Sequence, residues 1–191
     1  MSFDAFLVST GVVAVAEMGD KTQLLALMLA ARFRQPLPVV AGILAATILN
    51  HLAAGWVGTL LAGIITPEWL RWIVGISFLA TAVWALIPDK MEEGEAVVKP
   101  YGAFLTTAIA FFIAELGDKT QIATVTLAVK YSPLWQVVLG TTTGMLIADV
   151  PAVWLGKWVA SHMNWLRAVR FVAAFVFAVL GVMALLGIGA H

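Results

Sequence analysis

Apolar residues run along this chain in stretches of about 20 or more, the length a helix needs to cross a hydrocarbon core of ~30 Å. Polar residues gather at short breaks between them. The pattern predicts six segments, at 5–31, 37–63, 69–87, 101–129, 134–159 and 167–187. The breaks carry charge and proline: Arg32-Phe33-Arg34-Gln35-Pro36, Thr66-Pro67-Glu68, Lys130-Tyr131-Ser132-Pro133 and Ser161-His162-Met163-Asn164. The longest polar stretch, Pro88 to Pro100, holds Asp89, Glu92, Glu93 and Glu95 beside Lys90 and Lys99 and reads as a solvated connector. The fold class expected is an all-α membrane protein of six transmembrane helices.

The six segments fall into two copies of one unit. Ala16-Glu-Met-Gly-Asp-Lys-Thr-Gln23 recurs as Ala114-Glu-Leu-Gly-Asp-Lys-Thr-Gln121, 98 residues further on. The same offset pairs Gly42 with Gly140, Ala46 with Gly144, Trp56 with Trp154 and Gly58 with Gly156. Trp69-Leu70-Arg71 returns at an offset of 96 as Trp165-Leu166-Arg167. A single transmembrane domain is expected over 1–191, with repeat one at 1–88, a connector at 89–100 and repeat two at 101–191. Three crossings per copy make the second copy enter the membrane from the opposite face, so the repeats should be inverted.

Composition agrees with lipid as the solvent. Of 191 residues 62% are hydrophobic and 12% charged, where soluble domains carry ~25% charged residues. Zero formal net charge offers no basic patch for nucleic acid, and the absence of cysteine removes disulfides and thiolate ligands. Met1 to Asp4 carry no basic side chain ahead of the first apolar run, so no cleavable signal peptide is expected. Lys and Arg near the segment ends set the orientation. With the N-terminus outside, Arg32, Arg34, Lys90, Lys99, Lys157, Arg167 and Arg170 fall on the cytoplasmic side against Arg71 and Lys130 outside. Both termini are therefore expected outside.

Against this background the repeated motif is expensive. Glu17 and Glu115 lie near the middle of segments one and four, where each ionisable group costs ~2.5–3.5 kcal/mol on insertion scales. Glu17, Asp20, Lys21, Glu115, Asp118 and Lys119 together would cost on the order of 15–20 kcal/mol unless paired or solvated within the bundle, more than the ~5–15 kcal/mol that holds a domain folded. Four carboxylates and two ammonium groups sum to −2, which one divalent cation balances. On a continuous helix Glu17, Asp20 and Lys21 share a face, as do Glu115, Asp118 and Lys119. Facing each other, the two copies would supply four carboxylates, the amide oxygens of Gln23 and Gln121 and the hydroxyls of Thr22 and Thr120. These are hard oxygen donors suited to Mg²⁺, Ca²⁺ or Mn²⁺. Gly19 and Gly117 lower helix propensity by ~1 kcal/mol each, and segments one and four exceed a straight crossing, so either could break into half-helices that face the ion. The plainer alternative makes Glu17–Lys21 and Glu115–Lys119 intrahelical salt bridges, although such pairs need neither a second copy nor the added Asp and Gln.

Other polar positions carry less weight. Asp149, near Pro151, reads as a further ligand or a proton relay, or else as the partner of Lys157 or the cap of a kink. His51 stands at its equivalent place 98 residues earlier, and a hydrogen-bonded, structural histidine is expected there. Gly42-x-x-x-Ala46 and Gly140-x-x-x-Gly144 read as helix contact surfaces. Trp69, Trp72, Trp135 and Trp165 read as an interfacial belt.

Two Glu-x-Gly-Asp-Lys-Thr motifs in duplicated three-helix units resemble the Gdt-type cation exchanger family, which includes Golgi proteins linked to manganese and calcium homeostasis and bacterial manganese exporters. The resemblance covers essentially the whole chain, and both motif copies match without departure. It implies a secondary transporter exporting Mn²⁺, with Ca²⁺ as the alternative ion, against inward proton movement. It places the acidic role on Glu17, Asp20, Glu115 and Asp118, and the supporting role on Lys21, Thr22, Lys119 and Thr120. The partners implied are a divalent metal ion, protons and the lipid bilayer of a bacterial inner membrane, with no bound cofactor. Competing readings are an intramembrane Mg²⁺-dependent enzyme acting on a lipid pyrophosphate, a channel or scaffold, and an exporter of basic amino acids. Two near-identical half-sites speak against the enzyme, and fixed aspartates and lysines in both leave little room for an organic zwitterion.

Overall fold

A computed structural model describes residues 3–87, 102–161 and 163–187, with the side chains of Pro67 and of residues 156–170 left aside. The connector at 89–100 and the polar contacts expected of Lys157, Trp165, Arg167 and Arg170 lie outside the described residues. The described chain is all helical: α1 (Asp4–Glu17), α2 (Lys21–Phe33), α3 (Pro36–Ile64), α4 (Pro67–Ala85), α5 (Gly102–Glu115), α6 (Lys119–Lys130), α7 (Leu134–Ser161) and α8 (Met163–Leu185). Segments one and four are thus not single helices. Each breaks into two inside the motif, at Met18–Asp20 and at Leu116–Asp118.

Local sequence accounts for the boundaries. Gly19 and Gly117 take φ of 85° and 76°, left-handed values that cost any other L-residue about 1–2 kcal/mol. Asp20 then caps α2, its Oδ1 accepting the Lys21 N–H at 2.7 Å. Pro36 and Pro67 open α3 and α4, where the missing N–H removes no helical bond. Arg34, left-handed at φ 53°, closes α2, and its N–H reaches the Ala30 carbonyl. Two helices are long and apolar enough to cross a membrane, Pro36–Ile64 and the Leu134–Leu155 portion of α7. Gly102–Glu115 and Phe171–Leu185 are shorter apolar helices.

The principal helix packings correspond between the two halves. α1 packs mainly on α7 and, correspondingly, α5 on α3; α2 meets α7 as α6 meets α3; α4 lies against α8. The small residues are why α3 and α7 come so close to their partners. A Cβ on Gly42 would sit 2.7 Å from the Phe104 carbonyl oxygen and 2.8 Å from Thr107. One on Gly140 would sit 2.6 Å from the Phe6 carbonyl oxygen and 2.8 Å from Ser9, and one on Gly144 would meet Thr10 and Ala14 at 2.6 and 2.8 Å. Both expected small-residue stripes are contact surfaces in the structure. Apolar cores form on either side, one around Phe78, Phe177 and Leu127, the other around Leu25, Leu29, Ile43 and Phe111.

Relative to a soluble protein the polarity is inverted. Trp56, Trp69, Trp72, Trp135, Trp154, Phe171 and Phe175 are exposed, while Glu17, Asp20, Glu115, Asp118, Lys119 and Asp149 are buried. Large apolar side chains exposed along so many helices mark a surface that meets something other than water. Together with the spanning helices it makes this a membrane protein.

Candidate cation site

The two helix breaks bring the motifs together in the centre of the bundle. Ligand atoms of Glu17, Glu115 and Asp118 lie within 4.8 Å of one another, all three residues buried. At an effective dielectric of about 20, two carboxylates at that separation repel by roughly 3 kcal/mol or more. Ionised together they require positive charge beside them.

Each break is held by its own motif. The Asp20 N–H donates to the Glu17 carbonyl at 3.0 Å and the Asp118 N–H to the Glu115 carbonyl at 3.2 Å. The glutamines close the turns: Gln23 Oε1 accepts the Gly19 N–H at 3.1 Å and Gln121 Oε1 accepts the Gly117 N–H at 2.7 Å. Gln23 reaches further, its Nε2 donating to the Ala148 carbonyl of α7 at 3.0 Å. The threonines address the glutamates. Thr22 donates to Glu17 Oε2 at 2.6 Å and Thr120 to Glu115 Oε2 at 3.1 Å. In each glutamate the other oxygen, Oε1, is buried without a hydrogen-bond partner.

The lysines pair across the repeats. Lys119 Nζ lies 3.4 Å from Asp20 Oδ1, and Lys21 Nζ 3.8 Å from Asp118 Oδ1. The intrahelical Glu17–Lys21 and Glu115–Lys119 pairs are not what forms, because the breaks take each Lys off its glutamate's helix. Their common face on one continuous helix is corrected for the same reason. Each motif instead supplies the cation for the other's aspartate, so the pairs tie the two halves together. Asp149 on α7 is fully buried, and neither of its oxygens has a hydrogen-bond partner. His51 departs from expectation: it too is fully buried, but neither ring nitrogen is hydrogen-bonded. Asn50 beside it was passed over in the sequence and is engaged instead, donating to the Phe112 carbonyl of α5 at 3.2 Å. An amide next to a buried histidine on an apolar helix is the signal that could have found it.

A family model described as "Divalent cation/proton antiporter GDT1" matches residues 5–93 and 103–190. A Vibrio cholerae protein named "Putative manganese exporter" is 48% identical over 171 residues, spanning 89% of this chain and 84% of its own length. GDT1-like protein 5 of Arabidopsis thaliana is 28% identical, with 95% of each chain covered, and a Synechocystis GDT1-like protein is 29% identical over 84% of this chain and 86% of its own. No solved structure matches the chain. With both motif copies inside the matched stretches, the chain belongs to the GDT1 family of divalent cation/proton antiporters.

Proposed function

We propose that the protein exports a divalent cation, Mn²⁺ in the first place and Ca²⁺ as the alternative, and takes up protons in exchange. In this reading the six apolar segments are six transmembrane helices in a bacterial inner membrane. They form two inverted repeats, 1–88 and 101–191, around the connector 89–100, with both termini outside. Glu17, Asp20, Glu115 and Asp118 hold the ion. Thr22 and Thr120 orient the glutamates, Lys21 and Lys119 latch the halves through the aspartates, and Gln23 and Gln121 keep the breaks in shape. The glutamine oxygens already accept backbone N–H groups, which favours this supporting role over ligation.

The observation that carries the proposal is the convergence of Glu17, Glu115 and Asp118 from two different helix breaks within 4.8 Å, buried inside an apolar exterior. A hard divalent ion answers both the charge and the donor type. A metal ion binds the ionised carboxylate, so ion and protons exclude each other on the same oxygens, which is the chemical basis of exchange. Rocking of one repeat on the other would expose the shared cluster to either side in turn. The name of the Vibrio cholerae relative supports Mn²⁺ as the first choice. Two closely matching half-sites suit a passenger ion better than an enzyme's division of labour between unlike residues.

Purified protein in liposomes, loaded with a pH indicator and presented with Mn²⁺, Ca²⁺, Mg²⁺ or Fe²⁺ in turn, tests this. Mn²⁺ movement should carry protons the opposite way, strengthen as the side that receives Mn²⁺ is acidified and weaken as the side that presents it is acidified. Flux indifferent to collapse of the proton gradient would rule the exchange out.

A further inference from the structure

Among the buried equivalent positions at which the two halves differ, 51 in α3 is histidine and 149 in α7 is aspartate. Asp149 is 0% exposed and both its oxygens lack hydrogen-bond partners. Such a group inside a membrane bundle needs a compensating partner. The structure ties it to the site from two directions. Gln23, which shapes the first motif break, bonds the carbonyl of Ala148, the residue next to Asp149. Asp149 also lies within electrostatic reach of Glu17, and Glu115 within reach of Asp149. Yet Asp149 is not one of the three residues whose atoms converge within 4.8 Å. It lies on α7, the helix against which α1 packs.

A role in the helix alone does not account for it. Pro151 removes the N–H that would bond the Ile147 carbonyl, and a capping carboxyl would show a hydrogen bond in α7, but Asp149 makes none.

Building on the reading of the central site, we propose that Asp149 is a cation-binding residue that forms, with the unpartnered Oε1 of Glu17, a second resting position for the divalent ion on the α7 side. The α3 side has no such position, since His51 replaces the carboxylate there. The path of the ion is then asymmetric although the motifs are repeated. An ion leaving the centre toward α7 passes to a second pair of hard oxygens, and one moving toward α3 does not.

Mn²⁺ binding to the purified full-length protein, followed by the electron paramagnetic resonance signal of free Mn²⁺, tests the assignment. Asp149→Asn should weaken binding by about tenfold or more while the protein stays monodisperse. Asp149→Glu should keep Mn²⁺ binding but change the Mn²⁺-to-Ca²⁺ affinity ratio by about threefold or more, because the carboxylate is displaced by one methylene. Unchanged Mn²⁺ affinity in Asp149→Asn overturns the proposal. If that variant does not fold, an unchanged ion ratio in Asp149→Glu overturns it instead. Glu17→Gln measured alongside separates the two readings: full binding there brings down the central site, whereas loss there with normal Asp149→Asn removes only the second position.

Discussion

The break at Met18–Asp20 and the break at Leu116–Asp118 use nearly the same residues but are set differently in the molecule. Gly19 is half-buried and Gly117 exposed. Lys119 is buried against Asp20 at 3.4 Å, whereas Lys21 keeps 16% of its side chain accessible and stands 3.8 Å from Asp118. Gln23 bonds both its own turn and α7, while Gln121 bonds its own turn. The repeated residues build one scaffold twice. The surroundings, drawn from positions that do not repeat, make the two copies unequal, as an exchanger whose site is more closed on one side at any moment requires.

The strongest way to break that comparison is through the part the halves share. Glu17→Gln and Glu115→Gln should each lower Mn²⁺ flux in liposomes by about a hundredfold or more, since each removes charge from the same ion. A large loss in one and none in the other would show that the half-sites do not share a cation. Next come the crossed pairs. Lys119→Met removes the 3.4 Å buried pair with Asp20 and should cost about 3–5 kcal/mol; Lys21→Met, at a more accessible and longer pair, should cost clearly less. Thermal unfolding in detergent reads the difference, and equal losses would mean that the unequal burial has no energetic weight. Gly117→Ala should cost about 1–2 kcal/mol for the left-handed backbone, with nothing within 4 Å of the added Cβ to enlarge the effect. A neutral result in the same assay would place that turn outside the rigid scaffold. The smallest effect is expected at the glutamines: Gln23→Leu should exceed Gln121→Leu by about 1 kcal/mol, the worth of one additional hydrogen bond.

Much of this was legible before any coordinates. The 98-residue offset pointed to corresponding helices, and the α1–α7 and α3–α5 packings do correspond. The stripes at Gly42 and Gly140 announced close helix contacts because only a missing side chain lets a carbonyl approach so near. The glycine before each aspartate pointed to a weak place in the helix. What the sequence left open was which alternative the weak place would take, since Glu17, Asp20 and Lys21 also fit one face of an unbroken helix. His51 shows the other limit. A lone buried histidine is usually bonded, and its neighbour Asn50 takes the backbone contact instead.

By itself the sequence determined that the chain is apolar enough for a membrane, that one acidic motif occurs twice in it, and that its acidic groups fall within apolar runs at a cost something must offset. Those are matters of composition and periodicity, which each residue carries wherever it sits. Only the tertiary structure decided that each lysine serves the opposite motif's aspartate and that Asp149 is fully buried with no hydrogen-bond partner. Contacts between residues nearly a hundred positions apart depend on how α3 and α7 wedge against the other half. A helix break of two or three residues redirects every side chain beyond it.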